Sequence, residues 1–346
     1  MVNSKTRWIS ALAGIVIAAV FLFLWEDNPS KTYYLNQGRV FGTYYTIRYE
    51  AASDLHDSIQ ATLAAFDNSL SMFNPRSTLS AINANRDTVT DPLFEAMFAE
   101  AGRVYRLSGG AFDITVAPLV NLWGFGLKNR THVTQAQVDS LLPLIGFDRV
   151  QLIDHHVVKA DPRIMLDGGA VAKGQACDVV AALLARNGCT NYLVEIGGEI
   201  ACAGVNSKGH KWRVGITKPE DQSTITNNQS PINNQQSSLQ AVIEVSDLGM
   251  ATSGNYRNFY YDGEHKRSHT IDPRTGKPVQ HSLLSATVVS STCMRADALA
   301  TACMVLGAEK ALDMIARAED AACYLIVAQN DTTVVITSPN WDTALQ

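Results

Sequence analysis

The segment at residues 166–178 combines groups that can bind a phosphate. It reads LDGGAVAKGQACD, so a carboxylate, two glycines and Lys173 precede an apolar pattern with helical spacing. A glycine turn that opens a helix exposes free N–H groups and the positive end of the helix dipole, and both favour a bound phosphate. Lys173 adds a positive charge suited to a pyrophosphate. The order matches neither the Walker nor the GxGxxG pattern, and a tight structural turn is the simpler alternative.

The segment RADALAT, residues 295–301, contains two side-chain oxygens that can bind a metal ion. Asp297 and Thr301 are four residues apart, so a helix places both oxygens on one face, about one turn apart. A carboxylate and a hydroxyl, joined by carbonyl groups from a glycine turn, suit a hard cation such as Mg²⁺. The competing interpretation is an aspartate in the first turn of a helix, where the dipole favours a negative charge.

Two further residues, His269 and Asp113, carry titratable side chains that can take part in catalysis or binding. His269 lies in the polar turn SHTIDPRTGKP, residues 268–278, and can act as a base near neutral pH if a partner fixes its tautomer. Asp113 interrupts an apolar run, where an unpaired charge is costly. The simpler alternatives are a surface histidine in a turn for His269, and a helix or turn cap for Asp113.

Apolar periodicity predicts the elements that position these groups. The β-branched centre of residues 110–126 predicts a strand followed by a shaped loop. Strands are also predicted over residues 33–50 (two short strands), 150–153, 157–160, 192–196, 212–216 and 241–245. Helices are predicted over residues 55–70, 77–82 with Ser77 as the cap, 92–107, 134–142, 176–187 and 295–306.

The N-terminal residues 8–25 contain no charged side chain. A helix of this length spans roughly 27 Å, about one bilayer core. Positive residues precede the run and negative residues follow it, which predicts a cytoplasmic N-terminus and an exported body. We therefore expect a membrane anchor within residues 1–27. The alternative is a cleaved secretory signal, although no convincing Ala-x-Ala site follows the run.

The overall composition of the chain indicates a globular protein. The chain has 346 residues, of which 46% are hydrophobic and 18% charged, enough for a globular body with a large core. Its formal net charge of −5 gives no reason to expect nucleic-acid binding. The six cysteines form no CxxC or zinc pattern, so we expect small buried side chains rather than a disulfide framework. Residues 218–240, mostly Gln, Asn, Ser and Thr, predict a disordered insertion.

The order of the motifs resembles that of one known family. The motifs are FDITVAPLVNLWGFG (residues 112–126), LDGGAVAKG (166–174), EIGGEI (195–200), ATSGN (251–255), HTIDPRTG (269–276) and ADALAT (296–301). Together they resemble the ApbE family of FAD:protein FMN transferases. The resemblance covers about residues 38–330, nearly the whole of the exported body.

The resemblance implies a fold, an activity and a cellular setting. The fold would be mixed α/β, with a T-fold-like core and two lobes around a cleft that holds FAD, in a domain over residues 33–340. The activity would depend on Mg²⁺ and would transfer FMN from FAD, through a phosphoester, onto a threonine or serine of a target protein, with release of AMP. The setting would be an inner-membrane anchor with a periplasmic body, and targets among the subunits of membrane redox complexes.

Carried onto this sequence, the resemblance also implies a role for individual residues. The metal ligands would be the Ala170 carbonyl, Asp297 and Thr301. His269 would deprotonate the acceptor hydroxyl. FAD would contact the following residues: Phe41, Ser71, Met72, Phe73, Asp113, Lys173 and Ile271.

Three features depart from the family pattern. Phe41 stands where many members have methionine, so the packing of adenine or flavin can differ. Ala300 stands where some members have a second aspartate, which leaves the number of metal ions open. The lipid-bearing cysteine of many members is absent. Two other functions stay open at this point: an FAD pyrophosphatase that uses water as the acceptor, and a non-catalytic periplasmic flavin-binding protein.

Overall fold

The computed structural model describes residues 31–126, 133–219, 239–255, 259–262, 265–330 and 332–346. The predicted anchor and residues 220–238 of the predicted insertion lie outside these ranges. None of the helices inside these ranges has the length and apolar character that crossing a membrane requires.

The chain alternates between strands and helices, which we number in the order of the sequence. The strands are β1 (Thr32–Val40), β2 (Thr43–Ala51), β3 (Val150–Ile153), β4 (His156–Lys159), β5 (Tyr192–Ile196), β6 (Glu199–Ala203), β7 (Trp212–Thr217), β8 (Leu239–Val245), β9 (Leu248–Gly254), β10 (Phe259–Asp262), β11 (His265–Ser268), β12 (Ile271–Asp272), β13 (Lys277–Pro278), β14 (Leu283–Ser290), β15 (Ala321–Gln329) and β16 (Thr332–Thr337). The α-helices are α1 (His56–Leu70), α2 (Thr78–Asn83), α3 (Pro92–Ser108), α4 (Ala117–Leu122), α5 (Gln135–Leu141), α6 (Ala172–Arg186), α7 (Cys293–Leu306), α8 (Ala308–Ala316) and α9 (Trp341–Ala344). Short 3-10 helices span Ile114–Val116, Leu142–Leu144 and Phe147–Arg149.

One eight-stranded sheet organises the body. Its strand order is β1-β2-β5-β6-β9-β14-β15-β16, and each strand is antiparallel to its neighbours. Within the described ranges, four separate two-stranded ribbons are formed by β3–β4, β7–β8, β10–β11 and β12–β13. Because strands from both ends of the described chain pair in the large sheet, motifs far apart in the sequence can meet on its surface.

Both faces of the large sheet are covered. On one face, α6 and α7 pack on the central strands and form the larger apolar core. On the opposite face, β7, β8 and α9 surround a second core that contains Trp341. Successive residues of a strand point to opposite faces, so the neighbours Val288 and Val289 belong to different cores. Burial on both faces explains why β14 is apolar along nearly its whole length.

The Ser77 cap predicted from the sequence is present, and other helices begin at comparable caps. Helix α3 begins where the Asp91 carboxylate accepts hydrogen bonds from two backbone N–H groups of the first turn, and it ends at Gly109, whose φ is 61°. Ser77 caps α2, and Thr292 caps α7, each through a hydroxyl that accepts a backbone N–H. Local sequence signals therefore fix the ends of these helices.

The run at residues 110–126 is an exception, because the strand predicted there is wrong. The chain instead forms the 3-10 helix Ile114–Val116, which continues into α4. Asp113 caps this start, since its carboxylate accepts hydrogen bonds from the backbone N–H and the hydroxyl of Thr115. Pro118 then stands in the first turn of α4, where a helix needs no N–H donor. These local bonds outweigh the strand preference of the β-branched residues.

The six cysteines confirm the prediction of small buried side chains. All six are buried and carry free thiols. Cys177 on α6 and Cys293 at the start of α7 both belong to the larger core. Burial raises the pKa of both thiols, so neither is a ready nucleophile.

Helix α7 lies so close to its neighbours that two positions require glycine. A Cβ atom on Gly174 would overlap the Cys293 carbonyl oxygen, and a Cβ atom on Gly249 would overlap the Cys293 nitrogen. The obstruction is backbone in both cases, so it cannot turn aside as a side chain could. Gly174 thereby brings the first turn of α6 against the start of α7, and this contact sets the distance from Lys173 to Asp297.

Substitution of Gly174 by alanine is expected to lower the free energy of unfolding by about 1–3 kcal/mol, the usual effect of overpacking. Gly168→Ala is the matched control. Its added Cβ would lie 3.7 Å from Leu79 Cδ2 and 3.8 Å from Ala172 Cβ, which is ordinary contact. Urea unfolding measures both effects. A Gly174→Ala variant as stable as the control would contradict the close helix contact.

Candidate active site

Helix α6 starts without a side-chain cap. Its cap residue, Val171, offers no side chain that can bond to the free N–H groups. The helix begins at Ala172, so Lys173 and Gly174 lie inside its first turn rather than before it. The Gly174 N–H donates to Asp297 Oδ2 at 3.1 Å. A carboxylate of α7 therefore faces the positive end of the α6 dipole.

Three charged side chains meet at this point, Lys173, Glu199 and Asp297, and we refer to them as the charge cluster. The Lys173 Nζ atom lies 2.8 Å from Glu199 Oε1 and 3.8 Å from Asp297 Oδ2. Both acidic residues are nearly fully buried, at 4% and 2% exposed, whereas the Lys173 side chain is 34% exposed. With all three groups ionised, the charge cluster carries one excess negative charge, which favours a bound cation.

Burial and mutual attraction together set the protonation of the charge cluster. Burial alone lowers the pKa of Lys173, but the two carboxylates outweigh it and raise this pKa above its ordinary value. Burial raises the pKa of Glu199 to about 7 against the opposing effect of Lys173, and it also raises the pKa of Asp297. The Glu199 Oε2 atom is buried and has no hydrogen-bond partner among the described residues. One charged lysine thus lies between two carboxylates, hydrogen-bonded to Glu199 and 3.8 Å from Asp297.

The predicted metal ligands are oxygen donors that fit a hard cation. Asp297 and Thr301 lie one turn apart on α7, and Thr301 Oγ1 is 3.4 Å from Ser253 Oγ. Ala170 is half-buried in the turn before α6. Oxygen donors of this kind, beside an excess negative charge, are what Mg²⁺ prefers. No group of three or more His, Cys, Asp or Glu side chains that could hold a metal occurs in the described part of the chain.

His269 lies in a segment that is hydrogen-bonded to the end of β9, the strand that also contacts Thr301. It follows β11 and is half-buried, with its ring edge-on to the Phe125 ring at 6.3 Å between centroids. The next residue, Thr270, donates its hydroxyl to Asn255 Oδ1 at 2.8 Å, just beyond the end of β9. Two residues before Asn255, β9 carries the serine that contacts Thr301. The residues that Thr270 and Thr301 contact are therefore only two positions apart at the end of β9, which is about 7 Å of extended chain.

Four of the residues assigned to FAD cluster around α1. Phe41 lies at the tip of the β1–β2 hairpin with a φ of 51°, and its ring packs on Phe66 of α1 at 5.4 Å between centroids. Ser71, Met72 and Phe73 follow the end of α1 directly. Phe73 is 76% exposed. Helix α1 therefore holds the hairpin tip and this segment on one side of the body.

The tip of the β1–β2 hairpin adjoins the charge cluster. A Cβ atom placed on Gly197 would lie 3.0 Å from Thr43 Cγ2 and 3.3 Å from Glu199 Oε2, so both side chains border the same turn. The Gly197 N–H donates to the Tyr44 carbonyl oxygen at 2.9 Å, which fixes this contact. Phe41 is two residues from Thr43. Phe41 therefore lies two residues from a side chain that borders the Glu199 turn.

Asp113 and Ile271, also assigned to FAD, make structural contacts. The Asp113 carboxylate accepts hydrogen bonds from Thr115 and, at 3.1 Å, from the Phe147 N–H, and burial raises its pKa. Ile271 is buried beside Trp123 in a small third core. The cap that sequence offered as the simpler alternative for Asp113 is therefore present. Contact of either residue with FAD stays a prediction.

Glu199 is the member of the charge cluster that is missing from the predicted site. It is the first residue of β6, directly after a two-glycine turn, and the strand that follows it is apolar. A charge in an otherwise apolar run is costly unless it is paired. A charged residue in an apolar run is the feature that makes Asp113 a candidate, and the same feature makes Glu199 a candidate.

A surface cavity of about 220 Å³ lies beside β6, β9 and the start of α7, and none of the predicted site residues lines it. Its lining includes Asp178, Tyr192, Cys202, Asp247 and Ser291. Both Asp178 oxygens accept backbone N–H groups at the start of α7, at 2.9 and 2.8 Å, so this carboxylate serves the fold. We therefore place the candidate active site at the charge cluster and not at the cavity.

The fold and this site define a mixed α/β protein with a buried charge cluster suited to a phosphate and a cation. The family model described as ApbE family matches residues 41–325. The chain belongs to the ApbE family, and the family prediction made from the motifs is confirmed.

Individual relatives match over nearly the whole chain. The FAD:protein FMN transferase of Salmonella typhimurium is 34% identical over 351 residues, covering 96% of this chain and 96% of that protein. The protein of the same name from Escherichia coli K12 is 33% identical, covering 95% and 96%. The solved structure of the flavin transferase ApbE from Vibrio cholerae has a TM-score of 0.79 at 33% identity, covering 90% of this chain and 99% of that one. The apo form of Pseudomonas stutzeri flavinyl transferase ApbE has a TM-score of 0.79 at 29% identity, covering 92% and 98%.

Proposed function

We propose that this protein transfers FMN from FAD onto a threonine or serine hydroxyl of a target protein and releases AMP. The observation that carries the proposal is the charge cluster, in which one lysine at the start of a helix lies between two buried carboxylates. The cluster occurs in a chain that is 33% and 34% identical to proteins named FAD:protein FMN transferase.

The reaction replaces one oxygen on the FMN phosphorus by another. The acceptor oxygen forms a bond to this phosphorus, and the bond from the phosphorus to the bridging oxygen of the pyrophosphate breaks. The hydroxyl proton passes to a base, and AMP leaves with the bridging oxygen. Negative charge develops on the phosphoryl oxygens and on the leaving group, so positive groups held in place beforehand lower the barrier.

Lys173 is the side chain best placed to bind the pyrophosphate. Its ammonium stays charged, is partly exposed and stands in the first turn of α6, where the helix dipole also favours an anion. Asp297, Thr301 and the Ala170 carbonyl would hold Mg²⁺. When bound, Mg²⁺ would neutralise further charge on the pyrophosphate. Since all of these groups act on phosphate oxygens, they position the phosphorus for attack.

The aromatic rings of FAD are proposed to lie against the hairpin tip and the segment after α1. The exposed Phe73 ring offers a stacking surface, and Phe41 borders the charge cluster through Thr43. The proposed contacts with FAD comprise Phe41, Ser71, Met72, Phe73, Asp113, Lys173 and Ile271. With these contacts we propose a T-fold-like core and two lobes around the cleft that holds FAD.

His269 is proposed as the base that takes the proton of the acceptor hydroxyl. The flanking Ser268 and Thr270 are both held by Asn255, so the histidine stands on a fixed segment rather than on a free loop. This segment and Thr301 are attached to the same end of β9. A base fixed near the phosphate site is what in-line transfer to a hydroxyl requires.

We also propose an inner-membrane location, with residues 1–27 as the anchor, the body in the periplasm and subunits of membrane redox complexes as targets. The uncharged run at residues 8–25 supports this setting. Alkaline phosphatase fused to the C-terminus should be active, because that enzyme folds only after export. An inactive fusion would contradict the location and leave the proposed chemistry untouched.

Incubation of the purified protein with FAD, Mg²⁺ and a candidate target distinguishes the proposed function from its two alternatives. A transferase releases AMP and adds the mass of FMN, less one water, to the target. A pyrophosphatase releases AMP and FMN and leaves the target mass unchanged, and a non-catalytic binding protein releases no AMP. We expect the first result, and we expect EDTA to abolish it.

A further inference from the structure

We propose that Glu199 holds the Lys173 ammonium away from Asp297, so that the Asp297 carboxylate is available to a divalent cation. The proposal rests on the proposed function, to which it adds a positioning residue. Glu199 acts through Lys173 and touches neither the substrate nor the ion.

The distances show which carboxylate binds the lysine. Lys173 Nζ donates a hydrogen bond to Glu199 Oε1 at 2.8 Å, whereas 3.8 Å separates it from Asp297 Oδ2, too far for a hydrogen bond. Asp297 Oδ2 instead accepts the Gly174 N–H at 3.1 Å. Lys173 is therefore bound to Glu199 and is only near Asp297.

Glu199 stands on a rigid element that can hold a flexible lysine. It opens β6 directly after Gly197 and Gly198, whose φ values of 67° and 103° form a tight turn. Its carbonyl oxygen accepts the Cys177 thiol at 3.2 Å, which ties this end of the strand to α6. The unpaired, buried Oε2 atom shows that the described protein groups do not fully satisfy this carboxylate. The lysine is thus its main neutralising partner.

If Glu199 lost its charge, the Lys173 ammonium would move towards Asp297. The buried Asp297 carboxylate would then be the nearest negative group, and a small rotation of the long lysine side chain would form a direct ion pair. An ammonium on this carboxylate excludes a cation from the same oxygens. Glu199 therefore determines whether Asp297 pairs with the Lys173 ammonium or binds a divalent cation.

Titration with Mn²⁺, followed by the electron paramagnetic resonance of the free ion, tests this without turnover. Glu199→Gln is expected to bind Mn²⁺ about 10- to 100-fold more weakly than wild type, the usual effect of changing a residue behind a metal ligand. Glu199→Asp keeps the charge and should bind more tightly than Glu199→Gln. Glu195→Gln is the matched control, because Glu195 lies on the same hairpin and bonds to Thr46 and Gly198 instead. It should bind as wild type.

A double variant tests whether Glu199 works through the lysine. Adding Lys173→Met to Glu199→Gln removes the competing ammonium and should restore most of the lost Mn²⁺ affinity. A loss that Lys173→Met does not relieve would overturn the proposal, since Glu199 would then act on the ion by its own charge. Equal affinity of Glu199→Gln and wild type would overturn it as well. Thermal unfolding checks that each variant folds, and Glu199→Met, which also removes the charge at a similar side-chain volume, carries the comparison if Glu199→Gln does not.

The outcome for wild type separates this proposal from the proposed function. If wild type binds Mn²⁺ and the Glu199 variants bind it equally well, only the role of Glu199 is wrong. If wild type binds no Mn²⁺ with or without FAD, the metal assignment itself fails, and the role of Glu199 fails with it.

Discussion

Replacement of Asp297 by asparagine is expected to reduce AMP release from FAD by more than about 100-fold. Changes behind a metal ligand commonly reduce affinity or activity 10- to 100-fold, and this change removes the negative side chain of the proposed ligand set itself. Asparagine has the same shape, and its carbonyl oxygen can still accept the Gly174 N–H that Asp297 Oδ2 accepts at 3.1 Å. Liquid chromatography of AMP, over a range of Mg²⁺ concentrations, measures the effect.

Thr301→Val provides the graded comparison. It removes a neutral ligand, so we expect a smaller loss that higher Mg²⁺ concentrations partly recover. Circular dichroism and thermal unfolding should show both variants folded, because valine and asparagine nearly preserve the volumes of the native side chains. Full activity in Asp297→Asn would show that the ion is held elsewhere.

Replacement of His269 by asparagine is expected to slow FMN transfer by about 10²–10⁴-fold, the usual effect of losing a general base. FAD affinity should change far less, because Lys173 and the metal ligands hold the pyrophosphate. Single-turnover transfer gives the rate, and fluorescence titration gives the affinity. The two quantities together distinguish a base from a residue that only binds.

The competing role for His269 is packing, since its ring already lies edge-on to Phe125. In that case affinity and rate would fall together in His269→Asn. The wild-type rate should also fall at low pH, where imidazole takes up a proton, and the variant should lose the part of this dependence that His269 causes. Burial also raises the pKa of Glu199, so an acidic limb that persists in His269→Asn points to Glu199.

Local signals in the sequence predict six of the nine described α-helices but only seven of the sixteen described strands. Residues 92–107 combine an apolar period with a capping aspartate, a proline in the first turn and a closing glycine, and the structure has α3 in that place. The failure at residues 110–126 has a local cause, because Asp113 bonds to Thr115 two residues away and starts a helix. Strand propensity does not register such a bond.

The charge cluster depends on contacts that a single sequence does not contain. Lys173, Glu199 and Asp297 come from α6, β6 and α7, and they meet only because the strand order of the sheet and the close contact at Gly174 place these elements together. Motif spacing predicts Lys173 and Asp297 as separate ligands for phosphate and metal. The ion pair that joins Lys173 to Glu199 is a feature of the tertiary structure.

Mass spectrometry of membrane flavoproteins from the cells that naturally make this protein tests most directly whether it attaches FMN to other proteins. The comparison uses cells that carry the native gene, cells that lack it, and cells that carry Asp297→Asn. We expect peptides with FMN joined to threonine or serine by a phosphoester in the first cells and in neither of the others. The same flavin-bearing peptides at equal abundance in all three would contradict the proposed function.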